Sequence, residues 1–120
     1  MDISREIALL KEDPGFARGV GMVLAHNGTV RALSRDGGFE VSHLDVRVDE
    51  ARLEELRLEC ERRPGIHRVL VEARSGRLEP GEDLLLVVVA GDIRENVRPA
   101  LDGLVDRIKA EAVTKTEFAG

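Results

Sequence analysis

The chain has 120 residues, 42% hydrophobic and 34% charged, which is the size of one domain with apolar material for one compact core and too little low-complexity sequence for a disordered tail. A formal net charge of −5 argues against a general nucleic-acid binder, and three Phe with no Tyr or Trp leave no stacking platform for single strands. The apolar run Leu84 to Ala90 is far short of the about 20 residues of a spanning helix, the first residues show no basic, apolar, small-residue series, so classical export is not expected, and the single cysteine, Cys60, cannot make an internal disulfide; the cytoplasm is the expected compartment.

In chain order, Ile3, Ile7 and Leu10 recur at helical spacing, and Asp13-Pro14-Gly15 stops that first helix. Val20 to Ala25 suits a buried strand leading into Asn27-Gly28, which taken alone reads as a hairpin turn. From Val41 to Val48, Leu44, Val46 and Val48 alternate with His43, Asp45 and Arg47, the period of a half-buried strand. Asp49 is placed to cap a helix running to about Arg63, with Val48 and Leu53 at the staple positions and Leu53, Leu56 and Cys60 on the inner face. Cys60 is then a packed thiol and not a nucleophile.

Beyond Pro64-Gly65, Val69 to Ala73 reads as a strand, Arg74 to Asp83 as a connection, and Leu84 to Ala90 as a strand covered on both faces. Val97, Leu101, Leu104, Val105 and Ile108 form a helical stripe in which Pro99 is best placed within the first turn, and Val113 to Phe118 alternates as a last strand. The order α-β-β-α-β-β-α-β predicts an α+β sandwich, helices packed on a largely antiparallel sheet.

Several chemistries find no support. Gly19-Val20-Gly21 precedes a strand and lacks a third glycine, so no dinucleotide cofactor site is expected. His26, His43 and His67 stand apart without a second ligand nearby and read as surface or core histidines, so no metal site is expected. The acidic residues of 49 to 61 alternate with Arg as a solvated face. What remains is a set of cations at element ends. The chain has 15 Arg but only three Lys, of which Lys109 and Lys115 flank the exit of the last helix. Arg31 follows the first strand and Arg94 the buried one, and cations so placed can gather round an anionic ligand. By spacing alone each reads as an ordinary surface charge.

Gly28-Thr29-Val30-Arg31, His67-Arg68-Val69, Arg74-Ser75-Gly76-Arg77-Leu78-Glu79-Pro80-Gly81-Glu82, Asp92-Ile93-Arg94, Lys109 and Lys115-Thr116-Glu117 follow one another in an order that resembles the large, catalytic subunit family of molybdopterin synthase over about residues 14 to 118. The resemblance implies an α/β hammerhead-type fold over one domain, 1 to 120, and a homodimer of large subunits. It also implies a small ubiquitin-like partner at each end, whose C-terminal glycine thiocarboxylate supplies sulfur to cyclic pyranopterin monophosphate. By position it makes Lys109 the principal catalytic residue, Lys115 its assistant, and Arg31 and Arg94 the substrate-binding arginines. Arginines suit a phosphate through bidentate hydrogen bonds, and an amine can protonate a leaving oxygen or steady the adduct.

The chain departs from the family pattern in three places: Ile93 stands where the family has a histidine, Val113-Thr114-Lys115 replaces its Pro-Xaa-Trp-Lys, and the family continues past the position of Gly120 into a tail that adds pocket residues. If one helix carries residues 94 to 109, its ends lie about 22 Å apart, so Arg94 and Lys109 meet one ligand only across a two-fold dimer. Two other classes stay open: a non-catalytic relative that binds the small subunit or a pterin as a regulator, and a dimeric interaction module with no ligand. A groove with Arg31 and Lys109 pointing inward favours the enzyme.

Overall fold

The computed structural model describes residues 1–119. In chain order the elements are α1 (Ile3–Leu10), α2 (Phe16–Gly19), β1 (Met22–Thr29), β2 (Val41–Val48), α3 (Glu50–Glu61), β3 (Ile66–Ala73), β4 (Gly76–Leu78), β5 (Asp83–Gly91), α4 (Arg94–Glu111) and β6 (Val113–Ala119). The strands form two three-stranded antiparallel sheets, ordered β1-β5-β3 and β4-β2-β6.

The apolar run 84 to 90 becomes β5, the middle strand of the first sheet, and every one of its residues is buried. Its two faces feed two cores. Leu85, Val87 and Val89 meet Leu53, Leu56 and Cys60 of α3 and Val97, Leu101, Leu104 and Ile108 of α4, whereas Val88 and Ala90 meet Leu10 with Ile3, Ile7 and Phe16 around it. Each such side chain contributes about 1.5–3 kcal/mol when fully removed from water. Leu44 and Val46 of β2 and Leu78 of β4 join the larger core, which ties the second sheet to the first. Cys60 packs as expected: burial pushes its thiol pKa up, and its Sγ lies 3.6 Å from the Ala100 carbonyl oxygen.

Helix ends follow local chemistry. Asp2 and Asp49 cap α1 and α3, each carboxylate accepting from the backbone N–H three residues on, at 3.1 and 3.0 Å. At the start of α4 the Asp92 carboxylate accepts from Ile93 N–H at 2.6 Å and from Asn96 Nδ2 at 2.9 Å. Gly65 passes beside that carboxylate at φ 81, where a Cβ would lie 2.4 Å from both Asp92 Oδ1 and Asn96 Nδ2, so only glycine fits. The acidic face of α3 is solvated as expected, with Arg52 bridging Glu55 and Glu111 of α4, and Arg57 bridging Glu54 and Glu61.

The structure corrects four local expectations. Asn27-Gly28 is no turn: both residues stay in β1, opposite Leu86 and Leu85 of β5, because the ladder to a fully apolar strand outweighs local turn preference. Pro99 sits in the second turn of α4 and not the first; it lies on the exposed side, so the Glu95 carbonyl that loses its usual N–H partner is open to water. The connection 74 to 83 contains β4, and the stretch after α1 contains α2, both too short for a periodic signal. Finally, the strands divide between two sheets instead of sharing one. Among the described residues no helix is long and apolar enough to cross a membrane.

Candidate functional site

Three elements and one loop converge at the seam between the two sheets. On β1 the period of two puts His26 and Gly28 on the face of Met22 and Leu24, which pack on the larger core. An irregularity in pairing between Gly28 and Thr29 ends the strand, and Arg31 follows it. Lys109 stands in the last turn of α4, where the helix dipole favours a cation. On β6, Lys115 pairs with Val46 and Glu117 with Leu44, so both side chains share the inward face of buried neighbours while Thr114 and Thr116 face out. The loop after Arg31 is pinned to the same strand, since Arg35 N–H donates to Glu117 Oε2 at 3.0 Å.

Between them lies an open cavity of about 320 Å³, lined by Arg31, Arg35, Lys109, Lys115 and Glu117 over an apolar floor of Val30, Leu44 and Leu84. Beside it, sharing Thr29, Leu84, Lys109 and Lys115 in its lining, is a smaller space of about 100 Å³ that His26 and Gly28 also border. Four cations against one carboxylate give this cavity a positive balance, electrostatically suited to an anion, on a chain whose formal charge is −5. The charges act on one another. Burial of its end, then Lys109 and Arg35, hold the Lys115 ammonium below its usual pKa, with Arg31 adding to the effect and Glu117 opposing it. His26 is likewise lowered, by burial and then by Lys109. An amine so placed is readier to exchange its proton than a solvated lysine.

Of the four residues expected from the sequence, the structure brings Arg31, Lys109 and Lys115 together and leaves Arg94 apart. Arg94 opens α4 at its far end, 74% exposed, with its Nε 3.8 Å from Glu95 Oε1. Fifteen residues along one helix set it about 22 Å from Lys109. Ile93 beside it is exposed as well. The other histidines have different neighbours: His43 stacks on Phe118 at 4.7 Å, and His67 meets Asp13 at 3.3 Å and the edge of Phe16.

Arg35, Glu117 and His26 border the cavity in addition to the residues expected from the sequence. The alternation that turns Lys115 inward carries Glu117 with it, and the spacing from His26 to Gly28 carries the histidine toward Lys109; both were available signals. Arg35 had none, because a loop contact to β6 determines its position.

The model of the MoaE protein family matches residues 2–111. A probable molybdopterin synthase of Haloferax volcanii is 35% identical over 96 residues, covering 76% of this chain and 36% of that protein, so the chain spans about a third of that relative's length. Among solved structures, the molybdopterin biosynthesis MoaE protein of Burkholderia ambifaria MC40-6 superposes with a TM-score of 0.77 at 27% identity, covering 96% of this chain and 75% of that one. The complex of subunits 1 and 2 of the molybdopterin-converting factor from Helicobacter pylori 26695 matches with a TM-score of 0.68 at 20% identity, over 98% of this chain and 78% of that one, a likeness of fold.

Proposed function

The chain belongs to the MoaE protein family, and from that premise we propose that it is the large, catalytic subunit of a molybdopterin synthase, acting in molybdenum cofactor biosynthesis in the cytoplasm. In this reading a small ubiquitin-like subunit delivers a thiocarboxylate at its C-terminal glycine. The sulfur passes to cyclic pyranopterin monophosphate, whose phosphate the arginines hold.

The observation that carries this reading is the convergence of Arg31, Lys109 and Lys115 on one cavity. Its volume of about 320 Å³ falls in the range of small-ligand sites, about 300–1,000 Å³. Arg31 is the phosphate ligand, suited by its planar fork. Lys109 is the principal acid, and Lys115, with its pKa lowered, assists proton movement at the adduct. Inward-facing cations of this kind favour an enzyme over a ligand-free interaction module. A homodimer of large subunits would let Arg94 reach the cavity of a neighbouring copy.

The partner's tail has a natural route. β6 is an edge strand of its sheet and carries Lys115 and Glu117 along the cavity, so an extended glycine-ended peptide can pair with its free backbone groups and enter between the lysines. Affinity for the small subunit is therefore expected to survive Lys109→Ala and to fall when the partner's last two glycines are removed. Calorimetry giving equal affinity for intact and truncated partner would contradict this route.

A further inference from the structure

We propose that His26 is a positioning residue of this site: its Nε2 lone pair accepts a hydrogen bond from the Lys109 amine and holds that amine at the inner end of the cavity. The role in turnover rests on the sulfur-transfer reading; the contact itself does not.

His26 stands on β1 opposite Val87, with its ring on the core side. Its Nε2 is closed off from solvent and has no hydrogen-bond partner among the described residues. A ring nitrogen left in that condition loses its hydration without compensation, so the folded protein gains by supplying a donor. Gly28 permits this position of the ring, since a Cβ there would stand 2.9 Å from His26 Nε2. The imidazole occupies the room that the glycine leaves, with its Nε2 end beside the cavity.

The elements around the ring narrow the choice of donor. β5 presents Leu84 and Leu85, and β1 presents Gly28 and Thr29. The charged groups that face the inner space are Lys109 from α4 and Lys115 from β6, while Arg31, Arg35 and Glu117 border the outer part. Lys109 is the better donor of the two. Its charge already acts on the imidazole, whereas burial and neighbouring cations draw Lys115 toward losing its proton. The other basic residues of α4 that form ion pairs use Glu95, Glu59 and Glu111, and none of these bridges includes Lys109.

An ammonium with three protons to donate and a neutral imidazole with a lone pair are complementary. With the ring proton on Nδ1, Nε2 tethers a flexible lysine whose misplacement by about 1 Å would cost on the order of 100-fold in rate. When the imidazole takes up a proton it loses the lone pair and becomes a cation facing a cation. Lys109 is then released, and sulfur transfer falls on the acid side.

The contact is tested by NMR titration of the His26 imidazole in the full chain and in Lys109→Met. We expect the wild-type ring to titrate below an unperturbed imidazole, with Nε2 unprotonated at neutral pH, and to titrate higher once the ammonium is gone. A titration unchanged by Lys109→Met overturns the contact. In turnover, His26→Gln supplies an amide oxygen that accepts but does not titrate, so it should keep most of kcat and lose the acid limb. His26→Phe fills the space without an acceptor and should lower kcat by about 10- to 100-fold with KM for both substrates unchanged. Retention of both wild-type kcat and the acid limb in either variant overturns the role. If the wild-type chain transfers no sulfur, the synthase reading fails, while the titration still decides the contact.

Discussion

Lys109→Ala is expected to lower sulfur transfer by about 10²- to 10⁴-fold, the range associated with losing a positioned general acid, while the chain stays folded. Lys109 is exposed on the last turn of α4, next to the fully buried Ile108 but outside the apolar stripe. Alanine is as good a helix former, so the stability lost is the cation at the helix C-terminus, about 0.3–1 kcal/mol, and the donor that the buried His26 nitrogen would lose, about 1–3 kcal/mol. The measurement is a thermal melt alongside the transfer assay. Unchanged turnover would remove Lys109 from the chemistry; an unfolded variant would show that its place is structural.

Chains carrying Arg94→Ala and chains carrying Lys109→Ala, each inactive alone, are expected to recover activity when mixed and allowed to exchange. The physical reason is the length of α4. Arg94 and Lys109 occupy opposite ends of one helix, about 22 Å apart, and only Lys109 borders the cavity. For both to serve one phosphorylated substrate, the arginine has to come from a second copy, and a two-fold interface then builds two equivalent sites. A heterodimer of the two variants would hold one site with both residues intact and one with neither. Recovery approaching one working site per mixed dimer is the expected result. No recovery in proven heterodimers would make Arg94 a surface residue of the helix start.

Much of this arrangement could be read in the residues because it rests on local rules. Asp49 caps α3 through a carboxylate that its own sequence position provides, and the alternation of 113 to 118 aims Lys115 inward wherever β6 pairs. The run 84 to 90 announced burial on both sides, and β5 has it. The parts that were not legible depend on contacts distant in sequence. Asn27-Gly28 carries the local chemistry of a turn, yet pairing with Leu86 and Leu85 keeps it extended. β4 is three residues long, two of them exposed, and exists because β2 lies beside it. The division into two sheets comes from strands that alternate along the chain, β1, β3 and β5 in one sheet and β2, β4 and β6 in the other, and no local pattern encodes that alternation.

The site shows the same division. Arg31, Lys109 and Lys115 were identified by resemblance to a family, and folding brings them to one cavity. His26 had only its period-two relation to Gly28 to recommend it. Arg35 owes its place to a backbone bond from a loop to Glu117, 82 residues away in the sequence, and no local pattern encodes that.

The central claim, that this cavity of cations performs sulfur transfer, is tested most directly by a single-turnover assay. The chain is incubated with the thiocarboxylated small subunit and cyclic pyranopterin monophosphate, and the pterin product is examined for its dithiolene. The account predicts dithiolene formation with matching loss of partner thiocarboxylate. A partner that binds with its thiocarboxylate intact, and a substrate recovered unchanged, would contradict it.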